Sequence, residues 1–286
     1  MLNQLLPSVI DGLLLGSVYG VAAMGLTLIW GVMNVINLAH GPIMALGMFC
    51  IYFLFSALGM NPYVGVVAAA GLGFALGIVI YYVAVQRVIN APHLSSLLST
   101  YAVSMIIIGL GTAAFTTSPR NVDFSLGTLT LWTLTVPGSR VLGALAAFLV
   151  AGLLWLFLNK TSPGKAIRAV ANNRAAAELM GIPSNRVLAL AFGIGTMLAA
   201  IAGGLIATFF PFTILSGGSY ELKSFVIGVL GGLGNPLGAL AAGLILGLVE
   251  GVGSVFLPVS WVPVVEFLLF VLVLVIWPKG IFGARR

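Results

Sequence analysis

Lys160 to Arg186, KTSPGKAIRAVANNRAAAELMGIPSNR, decides the fold, because the sequence on either side of it is almost wholly apolar. Five of the twelve Lys and Arg fall inside it, Lys160, Lys165, Arg168, Arg174 and Arg186, opposed only by Glu178. A chain that is 60% hydrophobic and 6% charged gathers its water-facing chemistry in one segment when that segment lies outside a bilayer. The stretch also reads as a helix with both ends marked. Ser162 is a suitable N-cap with Pro163 at the first helical position. Gly181 followed by Pro183 is a stop, since glycine accepts the left-handed conformation and proline cannot continue the helix. Ile167, Ala171, Ala175 and Leu179 fall every four residues on one apolar stripe, with Lys165, Arg168 and Asn172 off it. Such a helix either packs into a groove or rests on anionic lipid.

Outward from this loop, 286 residues with a mean hydropathy of +1.19 imply an all-α polytopic membrane protein rather than a soluble domain. Apolar windows at 8–30, 41–58, 63–85, 94–115, 141–158, 187–210, 213–234, 236–256 and 261–277 are each about long enough to cross. Window 213–234 carries Glu221, Lys223 and Gly231-Gly232-Leu233-Gly234, which makes a poor continuous helix in lipid. The count is therefore nine if it crosses and eight if it is re-entrant. The whole chain, 1–286, reads as one membrane domain. A single cysteine, Cys50, excludes an intrachain disulfide and a cysteine-built metal site, and no cofactor motif is present. Gly12, Gly16 and Gly20, like Gly73 and Gly77, have the spacing through which helices approach closely.

The net charge of +6 does not point to nucleic acid, because the cations sit at span ends and are not interleaved with aromatics. They report orientation. Loop 159–186 and the tail bearing Lys279, Arg285 and Arg286 are expected on the cytoplasmic side, an even number of crossings apart. Nine spans then place the N-terminus outside, with loop 116–140. In that loop FSLGTLTLWTLTV alternates apolar with small polar residues, which suits a strand or hairpin over the bundle, or an ordinary exposed connection. MLNQLLPSVIDG lacks the positive start of a secretory signal, so 8–30 is expected to be a retained span.

Inside the apolar windows the unusual stretch is GVMNVINLAHGP, residues 31–42. Asn34, Asn37 and His40 recur every three residues, which would align them on one helix face turned to the bundle interior. They either line a path, brace a break before Pro42, or make ordinary interhelical hydrogen bonds. Gly41-Pro42-Ile43-Met44-Ala45-Leu46 is echoed by Asn235-Pro236-Leu237-Gly238-Ala239-Leu240, just after Gly234. Matched interruptions in two related halves point to a transport path. Glu250 and Glu266 are intramembrane acids with no evident basic partner, whereas Asp11 is accounted for by a helix N-terminus. No zinc, protease, hydrolase or phosphate-loop motif occurs, so the expectation is no catalysis by this chain, with energy from an ion gradient or another subunit.

Three blocks, GLTLIWGVMNVINLAHGPIMALG at 25–47, GKAIRAVANNRAAAELMGI at 164–182 and GVLGGLGNPLGALAAGLILG at 228–247, resemble the LivH-type permease subunits of bacterial ABC importers for branched-chain amino acids. The resemblance extends over essentially the whole chain. It implies a second homologous permease of the LivM type, two cytoplasmic ATP-binding subunits, a periplasmic substrate-binding protein that delivers leucine, isoleucine or valine, and an architecture akin to vitamin B12-type importers. It also implies that Lys165, Ala166, Arg168, Ala171, Asn172, Arg174, Ala175, Glu178 and Gly181 lie on the segment that couples to an ATPase. The order Ala175-Ala176-Ala177-Glu178…Gly181 departs from the usual E-A-A…G signature and leaves the part played by Glu178 open. Three alternatives stand beside it: a stand-alone proton-coupled carrier using Glu250 or Glu266, an intramembrane enzyme pairing His40 with Glu250, and a permease of the same family for urea, amides or other small acids.

Overall fold

In lipid the hydrophobic effect does not draw helices together, so they must associate by close packing. The computed structural model, which describes residues 2–131 and 134–283, shows where this chain does so. Helix α1 (Leu2–Met33) runs antiparallel to α10 (Pro236–Phe256). A Cβ on Gly12, Gly16, Gly243, Gly247 or Gly251 would collide with backbone atoms of the facing helix. The seam continues to Gly31, which meets Gly234 just before α10 begins. Helix α3 (Pro62–Ile80) uses Gly73 and Gly77 in the same way against Thr196 and Ala200 of α8 (Ser184–Ala207). Both glycine sets therefore act as their spacing predicts.

Helix α8 is the second enclosed rod. It packs on α1 through Gly25 and Gly195, and on α2 (His40–Leu58) through Gly47 and Gly203. The remaining long helices, α4 (His93–Phe115) and α5 (Gly138–Lys160), are peripheral and show apolar side chains outward, such as Met105, Ile106, Leu145 and Leu149. Among the described residues seven helices, α1 to α5, α8 and α10, are long and apolar enough to cross a membrane. Window 213–234 becomes a 3-10 turn and the 15-residue α9 (Gly217–Gly231), which stops at the glycine run, where Gly232 and Gly234 have φ of 87° and 88°. The last window becomes α11 (Val262–Ile276).

Helix directions define two ends. One holds the basic loop and the C-terminal end of α1. The other holds a hairpin of β1 (Thr128–Leu131) and β2 (Leu134–Pro137), with Leu129 opposite Val136, beside the N-terminal parts of α1 and α5. The alternating stretch thus forms a hairpin, although Trp132 and Thr133 lie outside the described residues, as do Arg285 and Arg286.

The basic loop differs from its expected form. Thr161, one residue earlier than expected, caps the first helix by accepting from Gly164 N at 3.2 Å. The helix then breaks at Asn173, whose extended φ of −156° separates α6 (Ser162–Asn172) from α7 (Arg174–Leu179). Asn173 Oδ1 accepts from Ala176 N at 3.0 Å and starts the second piece. The inward face is consequently Gly164, Ile167, Val170 and Ala177, whereas Ala171, Ala175 and Leu179 of the expected stripe are exposed. Gly181 ends the unit with φ of 80°, as the stop signal requires.

Gly247→Val would push a branched side chain into the backbone of α1, and no rotamer relieves that contact. It should cost about 3 kcal/mol or more of unfolding free energy in mixed micelles. Gly152→Ala, in open space on α5, should change it by under about 1 kcal/mol. Equal stabilities would remove the seam from its place at the centre of the fold.

Candidate functional site

Residues 34–39 are not helical, so Asn34, Asn37 and His40 do not share a helix face. Asn34 ends α1 in the left-handed region, with φ of 53° and its N–H on Trp30 O at 2.8 Å. Asparagine tolerates that conformation better than other non-glycine residues. Asn37 and His40 are fully buried and hold the break together. Asn37 Oδ1 accepts from Ala39 N at 3.1 Å, Thr100 Oγ1 donates to Ile36 O at 2.9 Å, and His40 Nε2 lies 3.0 Å from Ala22 O. Ala22 is eleven residues before the end of α1, about 16 Å along its axis. Helix α2 therefore begins part-way through the bundle, with Pro42 in its first turn, where a missing N–H is tolerated.

Helix α9 begins beside it. Gly41 and Gly217 meet backbone to backbone, and Gly41 N donates to Glu221 Oε2 at 3.3 Å. Glu221 thereby supplies an acceptor to the start of α2. The echoed block lies elsewhere. Gly234 meets Gly31, Asn235 Oδ1 caps α10 by accepting from Gly238 N at 3.1 Å, and its Nδ2 donates to Phe282 O at 3.0 Å. Each echoed block thus opens a helix, but Pro42 sits at depth and Pro236 at the basic end.

Glu250 and Glu266 do have a basic partner. Lys223 Nζ donates to Glu250 Oε2 at 2.6 Å and to Glu266 Oε1 at 3.3 Å, and it lies 4.9 Å from the centre of the Tyr19 ring. The cluster joins α1, α9, α10 and α11, with Tyr220 6.2 Å from Tyr19. Asp11 is in the third turn of α1, not at its N-terminus, and is paired with Arg140 at the start of α5. His40 and Glu250, which an acid–base reading would join, are held by different partners, Ala22 O and Lys223.

At the basic end Lys165, Arg168, Ala171, Asn172, Ala175, Glu178 and Gly181 are exposed, with Ala166 and Arg174 half-buried. Arg174 pairs with Glu178 at 3.2 Å and reaches Asn90 Oδ1 at 3.4 Å, while Arg168 donates to Asn159 Oδ1 at 2.9 Å. Beyond them Leu179 and Met180 are 89% and 83% exposed. They put two large apolar side chains in the open at the tip of the basic loop.

Residues 8–275 match the family model described as branched-chain amino acid transport system / permease component. The chain belongs to that family. It is 32% identical to the high-affinity branched-chain amino acid transport system permease protein LivH of Escherichia coli K12, over 97% of this chain and 95% of that one. It is 29% identical to the corresponding protein BraD of Pseudomonas aeruginosa, with the same coverage. Among solved structures, PsaBC from Streptococcus pneumoniae in complex with Fab has a TM-score of 0.50 at 16% identity, over 94% of this chain and 91% of that chain, which shows likeness of fold. The family membership makes the chain a multi-pass membrane permease component, in agreement with its apolar helices.

For this permease component, sequence reasoning missed Lys223 as the shared partner, Glu221 as the acceptor at α2, and the Leu179–Met180 tip. Only the tip had a local signal, since the pair Asn172-Asn173 offers a cap in mid-helix. Lys223→Met leaves two carboxylates without their cation and should destabilise the chain by about 3 kcal/mol or more. Adding Glu250→Gln and Glu266→Gln should bring stability to within about 1 kcal/mol of the parent. Unfolding in mixed micelles distinguishes the two, and a triple variant no better than the single would show that charge pairing is not what holds the cluster.

Proposed function

We propose that the chain forms half of the translocation path of an ABC importer for branched-chain amino acids, powered by separate subunits. The observation that carries this reading is family membership over nearly the full length, in a chain without a phosphate-loop motif. The partners are a second, homologous permease of the LivM type, two ATP-binding subunits, and a periplasmic binding protein that brings leucine, isoleucine or valine. The substrate assignment follows the names of the relatives, and urea, amides or other small acids are the competing cargo. A stand-alone proton-coupled carrier is disfavoured because Glu250 and Glu266 already share Lys223.

In this reading the loop 159–186 faces the cytoplasm of a bacterial inner membrane, drawn there by its cations, and the tail lies on the same side. The hairpin loop 116–140 and the N-terminus then face the periplasm. An ATP-binding subunit docks on α6 and α7, where Lys165, Arg168, Asn172, Glu178 and Gly181 offer polar contacts and Leu179 and Met180 insert as apolar anchors. The breaks at Asn34–Pro42 and Gly234–Pro236 put non-helical backbone along the proposed path. This chain binds and orients, and the ATPases do the chemistry.

The test is co-purification of the tagged chain with its ATP-binding subunits. Leu179→Ser with Met180→Ser should lower the retained ATPase at least tenfold and abolish ATP-dependent leucine uptake while the spans remain inserted. Full ATPase retention would remove the loop from the coupling role, and leucine uptake by this chain alone in proteoliposomes would overturn the ABC reading.

A further inference from the structure

Helices α5 and α8 part just beyond the basic loop and leave a cleft of about 700 Å³, floored by Phe74 of α3. Leu153 and Phe157 line one wall, Leu190 and Ile201 the other. From Leu190 to Ile201 is eleven residues of helix, about 16 Å, close to half the thickness of a bilayer hydrocarbon core. The cleft thus spans one leaflet. Its lining is apolar except at the mouth, where Lys160 and Thr161 stand. The Thr161 hydroxyl is engaged, donating to Phe157 O at 2.7 Å and accepting from Gly164 N at 3.2 Å. Lys160 makes no ion pair among the described residues, and the loop's single acid, Glu178, is held by Arg174.

We propose that this cleft is a binding site for an anionic phospholipid of the same leaflet, one acyl chain lying between α5 and α8 and the headgroup phosphate on Lys160. Charge and length both select this occupant. An acyl chain needs an apolar slot one leaflet deep, and its phosphate needs a cation at the level where the slot opens. A transmembrane helix of a partner would fill the apolar slot but would make no use of the cation at its mouth. The site goes beyond the import reading and does not depend on it. It also places lipid beside the loop rather than under it: the outward residues of α6 and α7 stay free for protein, while the neighbouring cleft takes the lipid.

The chain, with the subunits that accompany it, would be purified from bacterial membranes into phosphatidylcholine nanodiscs containing a minor fraction of phosphatidylglycerol. Native mass spectrometry then counts the phosphatidylglycerol retained per chain. The expected result is about one, lowered at least tenfold by Lys160→Glu and by Val150→Trp, since Val150 also lines the α5 wall and the larger ring fills the slot while leaving the cation in place. Arg186→Glu, the same charge change away from the cleft, should leave retention within twofold of the parent. Lys160 is exposed, so its variant decides the question even if Val150→Trp does not fold. Equal retention in the parent and Lys160→Glu overturns the proposal, as does an equal loss in Arg186→Glu. Leu153→Cys in a Cys50→Ser background supplies a separate check. A crosslink from it to another membrane subunit would show protein in the cleft and would also overturn the lipid assignment.

Discussion

The antiparallel contact of α1 with α10 is the constraint on which the rest depends. Two helices whose backbones touch at Gly12, Gly16, Gly243 and Gly247 cannot slide by a residue without placing a side chain where only hydrogen fits. Register is therefore fixed by sterics, which suits a lipid environment where apolar burial gives no preference between protein and solvent. With α1 held, Ala22 O is available at depth for His40, and Gly31 is available at the basic end for Gly234. The start of α2 and the turn into α10 are both anchored to the same rod.

Charge does a different job. Lys223 with Glu250 and Glu266 ties α9, α10 and α11 together, and Arg140 with Asp11 ties α5 to α1. Helices α5 and α11 make few close backbone approaches, so an ion pair supplies what glycine supplies at the centre. Placing such pairs at the edge of the bundle is consistent with their partial exposure. Lys223 and Glu250 keep 21% and 25% of their side-chain surface open, and only Glu266 is almost fully enclosed.

The span pattern and the glycine seams were legible in the sequence because both depend on local spacing. The apolar windows coincide with helices to within a few residues, and the glycine run at 231–234 ends α9. The misreadings share another cause. Ile167, Ala171, Ala175 and Leu179 form a stripe only if the helix is continuous, and Asn173 interrupts it by capping a new helix. Asn34, Asn37 and His40 share a face only if residues 34–39 are helical, and here the side chains satisfy the backbone of an unwound segment instead. In both cases asparagine competed with the helix for backbone hydrogen bonds, which periodicity does not register. The Lys223 cluster was invisible for another reason: Glu250 and Glu266 lie 27 and 43 residues beyond Lys223 in sequence and meet it only through tertiary packing.

The same packing constrains how a force at the basic loop can act. Helix α8 follows the loop after Pro183 and is clasped on three sides: by α1 at Gly25 and Gly195, by α2 at Gly47 and Gly203, and by α3 at Gly73 and Gly77. Contacts this close transmit displacement and resist local bending, because interiors packed at crystal density have no slack to absorb it. If an ATPase pushes on α6 and α7, α8 must therefore move with α1, α2 and α3 as one body. The non-helical turn at 232–235, with its left-handed Gly232 and Gly234, separates α9 from α10, which the glycine seam holds to that body. A push at the loop would therefore carry the glycine seams intact, and any adjustment would fall between that body and segments outside it, α9 among them.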